Sequence, residues 1–224
     1  LWGFHADSFE ARMPDPGQIE RLVKADPRMS DLALEGALLT GTNPAVRLDL
    51  GGYAKGYALD RAAATLRAQG VNNALINIGG NILALGAKGG TPWRVGIQHP
   101  RRAGALAMLE LKDGEAIGTS GDYQRFFELG GKRYCHLIDP RTGRPADQTQ
   151  AVTVIARGPR AGTLSDVASK PLFIAGPGNW QAMARRLGAR EVLYVAADGT
   201  LAATPAMAAR LVWEKPEPRV AVTE

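Results

Sequence analysis

The chain has 224 residues and is 45% hydrophobic, enough for one globular domain or one and a half. No run of about 18 apolar residues occurs, which excludes a membrane-spanning helix. The net charge of +5 is spread over scattered Lys and Arg, apart from the pairs Arg101-Arg102 and Arg185-Arg186, so no basic stripe points to nucleic acid. The one cysteine, Cys135, excludes an internal disulfide. The start, Leu1-Trp2-Gly3-Phe4-His5, lacks the basic segment and cleavage pattern of a signal peptide.

Residues 1–46 are mixed and Pro-rich, with one helix expected over Pro16 to Lys24, its apolar side formed by Ile19, Leu22 and Val23. Arg47 to Leu50 reads as a strand running into the Gly51-Gly52 turn. Tyr53 to Gln69 reads as a helix with Leu59, Ala62, Ala63 and Leu66 on one face and Gly70 as its stop. Ala74 to Ile78 and Ile82 to Leu85 form a hairpin around Gly79-Gly80-Asn81. Further strands are expected at Trp93 to Ile97, Ala105 to Leu111, Glu115 to Thr119, Lys132 to Ile138, Val152 to Ala156 and Glu191 to Val195. Gln124 to Leu129 is either strand or a turn of helix. Helices are expected at Thr163 to Ile174, interrupted by Pro171, and at Gln181 to Leu187. Asp198-Gly199 is a hairpin turn before Thr200 to Thr204, and a last strand lies near Leu211 to Trp213. Successive strands with a few packed helices imply an α+β fold, one domain over residues 1–224, with 214–224 a frayed tail.

The segment Leu48-Asp49-Leu50-Gly51-Gly52-Tyr53-Ala54-Lys55-Gly56 is the most informative. Gly51 and Gly52 let the backbone approach a ligand closely, and the helix beyond them offers free N–H groups and a positive dipole end. Lys55 adds a full charge in that first turn. The segment reads either as an anion cradle or as a tight turn with a solvated lysine. It is neither a Rossmann nor a P-loop fingerprint.

His136 is a candidate general base, or else a strand histidine satisfied by a carbonyl. Cys135 beside it faces the other way on a strand, so the two form no nucleophile–base pair. Asp139-Pro140-Arg141-Thr142-Gly143 is a turn by its chemistry. Thr119, Ser120 and Tyr123 flank Gly121; their hydroxyls suit a phosphate or ribose, and equally a turn cap. Asn77, Gly79 and Gly80 line a pocket or simply close a hairpin.

Four of these stretches, in order, resemble the ApbE family, the bacterial FAD:protein FMN transferases. They are Asp49 to Asp60, Asn77-Ile78-Gly79-Gly80-Asn81, Thr119-Ser120-Gly121-Asp122-Tyr123, and His136-Leu137-Ile138-Asp139-Pro140-Arg141-Thr142-Gly143-Arg144-Pro145. The resemblance runs over essentially the whole chain. It implies an ApbE-like, T-fold-like α+β architecture with mostly antiparallel sheets. It implies FAD held by Asp49, Gly51, Gly52, Lys55, Asn77, Gly79, Gly80, Thr119, Ser120, Gly121 and the backbone of Ile138, with His136 catalytic. It further implies transfer of FMN to a Thr of a partner flavoprotein, in a Ser/Thr-Gly-Ala-Thr-like motif, with release of AMP. By the same resemblance the expected setting is the bacterial periplasm or a membrane-anchored lipoprotein, with the cytoplasm left open.

Two departures qualify it. Family members hold Mg²⁺ through an Asp, a Thr four residues on and a carbonyl of the Gly-Gly turn, which here map to Asp166, Lys170 and Gly52, with Ser169 at an intermediate position. An ammonium has no lone pair to ligate a metal. Lys170 therefore either makes an ordinary i,i+4 ion pair with Asp166 or fills the metal position with its own charge. The start at Leu1-Trp2-Gly3-Phe4 resembles an internal motif of the family, implying about 100 preceding residues that supply flavin and adenine contacts. The alternatives are a flavin-binding or assembly protein of the same fold without transfer, and a structural fragment with an empty site.

Overall fold

The computed structural model describes residues 1–214 and 218–223. In chain order the elements are α1 (Pro16–Ala25), β1 (Leu32–Glu35), β2 (Leu38–Gly41), α2 (Ala54–Ala68), β3 (Ala74–Ile78), β4 (Asn81–Leu85), β5 (Trp93–Gln98), β6 (Ala105–Leu111) and β7 (Glu115–Gly121). They continue with β8 (Phe126–Leu129), β9 (Lys132–Cys135), β10 (Ile138–Asp139), β11 (Arg144–Pro145), β12 (Thr149–Arg157), α3 (Ala161–Ala175) and α4 (Trp180–Leu187). The last are β13 (Glu191–Ala196), β14 (Leu201–Ala203), α5 (Pro205–Ala208), β15 (Val212–Trp213) and β16 (Val220–Val222).

The expected α+β architecture is what forms. A seven-stranded sheet in the order β16-β14-β13-β12-β7-β4-β3 is antiparallel except at its β14–β16 edge. One face packs against the three-stranded sheet β15-β6-β5, through Val95, Ile97, Leu109 and Leu111 against Ile117, Ile155, Leu193 and Val195. The other face carries the helices. Leu172, Phe173 and Trp180 pack there on Val152, Val154 and Tyr194, and Leu59 and Ala63 pack on Leu83, Leu85 and Ala116. Being covered on both sides explains why β12 is buried from Thr149 to Ile155, with no alternation of polar and apolar residues. A fourth cluster, Trp2, Ile19 and Phe127, ties the N-terminal segment and α1 to the β8–β9 hairpin.

Several expectations need correction. Arg47 to Leu50 forms no strand: it has no strand partner among the described residues, and the Asp49 carboxylate instead accepts the Gly51 N–H at 2.6 Å. The β1–β2 hairpin was not anticipated, because Leu34, Leu38 and Leu39 are exposed and give no alternating pattern. The expected strand Lys132 to Ile138 stops at Cys135: the His136 N–H still donates to the Arg125 carbonyl at 3.0 Å, in line with the β8–β9 register, but Ile138 and Asp139 pair instead with Arg144 and Pro145. Helix α3 runs straight through Pro171. Pro171 offers no N–H to the Val167 carbonyl, and full burial of Leu172 and Phe173 holds the helix in place. The tail is not frayed throughout: Val220–Val222 add a parallel edge strand to β14. Of the expected tail, residues 215–217 and 224 lie outside the described residues.

Candidate functional site

Helices α2 and α3 cross antiparallel at a glycine pair. A Cβ on Gly56 would lie 2.3 Å from the Gly162 carbonyl oxygen, and one on Gly162 would lie 2.5 Å from that of Gly56. This approach lets each helix cap the other's N-terminus. Asp166 of α3 accepts the Gly56 N–H through Oδ2 at 2.9 Å. Asp60 of α2 accepts the Gly162 N–H at 2.7 Å, the Thr163 N–H at 2.8 Å and the Thr163 hydroxyl at 2.6 Å. Each carboxylate satisfies N–H groups that the first turn leaves unpaired, at the positive end of the helix dipole.

Asp166 is 2% exposed, and its second oxygen is also occupied. Lys170 Nζ donates to Oδ1 at 2.6 Å and to the Asp166 carbonyl at 2.8 Å. The lysine stem crosses the turn before α2: a Cβ on Gly52 would sit 2.9 Å from Lys170 Cε. Lys55, on the first turn of α2, lies against the β3–β4 turn, its Cδ 3.3 Å from where a Gly79 Cβ would be. That turn is held by the Asn77 side chain, which accepts the Gly80 N–H at 3.0 Å, and it needs glycines because φ is +57° at Gly79 and +90° at Gly80.

His136 completes the cluster. Its Nδ1 lies 3.2 Å from the Arg125 carbonyl, an acceptor, which makes Nδ1 the protonated nitrogen and leaves Nε2 with a lone pair. Burial pushes the His136 pKa down, and the positive charges of Lys170, Arg125 and Lys55 push it the same way. The hydrogen bond to the Arg125 carbonyl opposes them, and the balance favours the neutral imidazole. Burial also lowers the Lys170 pKa, against the opposing pull of Asp166. The arrangement is a set of cations beside a neutral imidazole and a glycine turn, suited chemically to an anionic phosphate group and to removal of a proton next to it. Tyr53 and Tyr57, stacked at 5.5 Å between centroids and 41% and 47% exposed, add a flat aromatic face beside the turn.

The sequence-expected residues divide accordingly. The structure brings together Gly52, Lys55, Gly79, His136, Asp166 and Lys170, while Asp49, with Gly51, and Asn77, with Gly80, shape the turns beside them. Thr119 does not join them. Strand β7 continues to Gly121, so Thr119 and Ser120 face opposite ways; the Thr119 hydroxyl pairs with Thr153 at 2.9 Å. Ser120 faces α3, but it is buried and bonded to Ser169 at 2.7 Å. Gly121 is closed over by the Tyr123 ring, whose Cε1 would lie 2.2 Å from a Cβ there. The Ile138 side chain packs with Trp2, Ile19 and Phe127. Cys135 is buried, with Sγ 3.4 Å from the Ala146 carbonyl, and burial pushes its thiol up to about 11. It makes no pair with His136.

Sequence reasoning passed over Gly56, Asp60 and Gly162, whose roles depend on contacts between segments about a hundred positions apart. It also treated Asn81 only as part of a turn. Asn81 is 2% exposed, and its amide nitrogen finds no acceptor among the described residues. A polar residue opening an otherwise apolar strand was the available signal.

The sequence profile of the ApbE family matches residues 1–194. The chain belongs to the ApbE family. It is 44% identical over 210 residues to an FAD:protein FMN transferase of Rhodobacter capsulatus, covering 94% of this chain and 40% of that protein. It is 34% identical over 196 residues to one of Escherichia coli K12, covering 84% of this chain and 54% of that protein. The ApbE protein of Thermotoga maritima superposes with a TM-score of 0.84 at 32% identity, over 94% of this chain and 68% of that one. The apo flavinyl transferase ApbE of Pseudomonas stutzeri gives 0.78 at 33% identity, over 94% and 65%. The chain thus spans about half the length or less of these two sequence relatives.

The ApbE resemblance implies a metal at Gly52, Asp166 and Ser169, and these residues do not fit one. Mg²⁺ requires several oxygen ligands in near-octahedral order. Both Asp166 carboxylate oxygens are occupied, one by a backbone N–H and one by an ammonium. The Ser169 hydroxyl donates to the Asp166 carbonyl at 2.8 Å and is buried against Ser120. The Lys170 stem lies over Gly52.

Proposed function

We propose that this chain binds FAD and transfers its FMN moiety to a threonine of a partner flavoprotein, within a Ser/Thr-Gly-Ala-Thr-like segment. The observation that carries the reading is His136, held by the Arg125 carbonyl through Nδ1, with no hydrogen bond to Nε2 among the described residues, and within the field of Lys55 and Lys170. In the reaction, the Thr Oγ attacks the FMN phosphorus and a new O–P bond forms. The bond from that phosphorus to the bridging oxygen breaks, its electrons go to the departing AMP, and His136 Nε2 takes the Thr proton. Such a step calls chiefly for positioning and for neutralisation of phosphate charge. Lys55 supplies part of that neutralisation. The stacked Tyr53 and Tyr57 offer a surface for a ring system. No metal enters this scheme, for the reasons of fit given above. Support comes from family membership and from the relatives named as FAD:protein FMN transferases. The test is chromatographic detection of AMP, which should appear only when FAD, the protein and a Thr-bearing acceptor are mixed.

The Asp166–Lys170 pair favours a second reading, a flavin-binding or assembly protein that retains the cofactor without transferring it. Two opposite charges held together neutralise a diphosphate less well than Asp166 with a divalent ion would. Stable FAD binding without AMP release in the same assay would decide for it.

A further inference from the structure

Lys170 is the residue of this site that departs from the metal-binding pattern the ApbE resemblance implies. Its ammonium has three donors, of which two are committed to Asp166, one to the carboxylate and one to the carbonyl. The third has no partner among the described residues, and the side chain is 24% exposed, with its stem packed on the glycine turn. The anchor is firm: Asp166 is buried and its other oxygen is fixed by the N-terminus of α2. The same ammonium acts on His136, as does Lys55. A cation is therefore built into the fold at the place where a divalent ion would have to compete with it for the same carboxylate.

We infer that Lys170 is a built-in counter-ion for the nucleotide diphosphate, and that it makes phosphate binding at this site independent of divalent metal. The inference rests on the flavin-nucleotide reading for the identity of the anion, and on the Asp166–Lys170–Gly52 geometry for the exclusion of metal. A metal ion arriving at Asp166 would have to displace the ammonium at 2.6 Å and would meet its positive charge. A diphosphate would instead meet a donor already aimed by two hydrogen bonds, at no cost in metal recruitment.

The experiment uses the purified protein with ADP as the diphosphate probe and Mn²⁺ as the metal probe. ADP affinity is measured calorimetrically with excess Mg²⁺ and with chelator, and Mn²⁺ uptake is followed by electron paramagnetic resonance without nucleotide. Two variants are compared, both checked for folding by thermal melting. Lys170→Thr returns a hydroxyl ligand; Lys170→Met keeps an apolar stem and supplies none. The parent should bind ADP equally, within about twofold, in Mg²⁺ and in chelator, and should take up no Mn²⁺. Lys170→Met should bind ADP about 10- to 100-fold more weakly in either buffer, the loss of one charge-assisted hydrogen bond. Lys170→Thr should be equally weak in chelator, regain affinity with Mg²⁺ and take up Mn²⁺. Parent ADP binding that rises about tenfold with Mg²⁺, or Mn²⁺ uptake by the parent equal to that of Lys170→Thr, would overturn the inference. ADP that binds nowhere while Mn²⁺ enters only Lys170→Thr would overturn the nucleotide reading and the counter-ion role, and uphold the exclusion of metal.

Discussion

Replacing Gly56 by alanine tests the helix crossing on which the whole cluster hangs. The new methyl would sit 2.3 Å from the Gly162 carbonyl oxygen and 2.7 Å from Asp166 Cβ, contacts that no rotamer change can relieve because the first is backbone. The helices must move apart, at an overpacking cost of about 1–3 kcal/mol. Separation also lengthens the 2.9 Å bond from the Gly56 N–H to the Asp166 carboxylate, and a bond to a buried charge contributes about 1.5–3 kcal/mol. Alanine's better helix propensity offsets about 1 kcal/mol. The net expectation is a destabilisation of about 2–4 kcal/mol, or a fall in Tm of about 5–15 °C for a domain of this size. Gly162→Ala meets the Gly56 carbonyl at 2.5 Å and should cost a similar amount. The double substitution should cost less than the sum, because both methyls open the same gap. Urea unfolding followed by circular dichroism reads all three. A change below about 0.5 kcal/mol in Gly56→Ala would refute the crossing as described.

His136→Ala should leave the fold intact and slow FMN transfer by about 10²–10⁴-fold, the usual contribution of a general base; a rate within about threefold of the parent would remove it from that role. Its pKa is held below the ordinary 6.5, so the base form predominates above pH 6.5 and is lost as pH falls through the lowered value. Transfer should therefore be level across neutral pH with an acid limb whose midpoint lies below 6.5, and a midpoint above that value in the pH profile would contradict the assignment. Lys55→Ala should weaken ADP binding by about tenfold or more while shifting stability by less than about 0.5 kcal/mol, and unchanged affinity by titration would return Lys55 to being a solvated lysine.

The parts of this structure readable from sequence are those set by local chemistry. The β3–β4 hairpin follows from Gly79-Gly80, which adopt the positive φ of the turn without steric cost. The Asp166–Lys170 pair follows from i,i+4 spacing on one helix, and the structure places it where that spacing requires. What could not be read depends on distant partners or on strand parity. Asp60 and Gly162 meet across two helices widely separated in sequence, and neither residue announces the other. Ending β7 two residues early concealed that Thr119 and Ser120 face opposite sides, and so placed Thr119 in a site it does not reach. Pro171 read as an interruption because its cost is local, while the burial of Leu172 and Phe173 that outweighs it is tertiary.

The most direct test of the transferase reading is the intact mass of an acceptor protein carrying a Ser/Thr-Gly-Ala-Thr-like segment, after incubation with FAD and this protein. The account predicts a gain of one FMN less one water on the threonine, matched by an equal amount of AMP, and no gain when that threonine is replaced by valine. An acceptor of unchanged mass, with FAD bound intact to the protein, would contradict it.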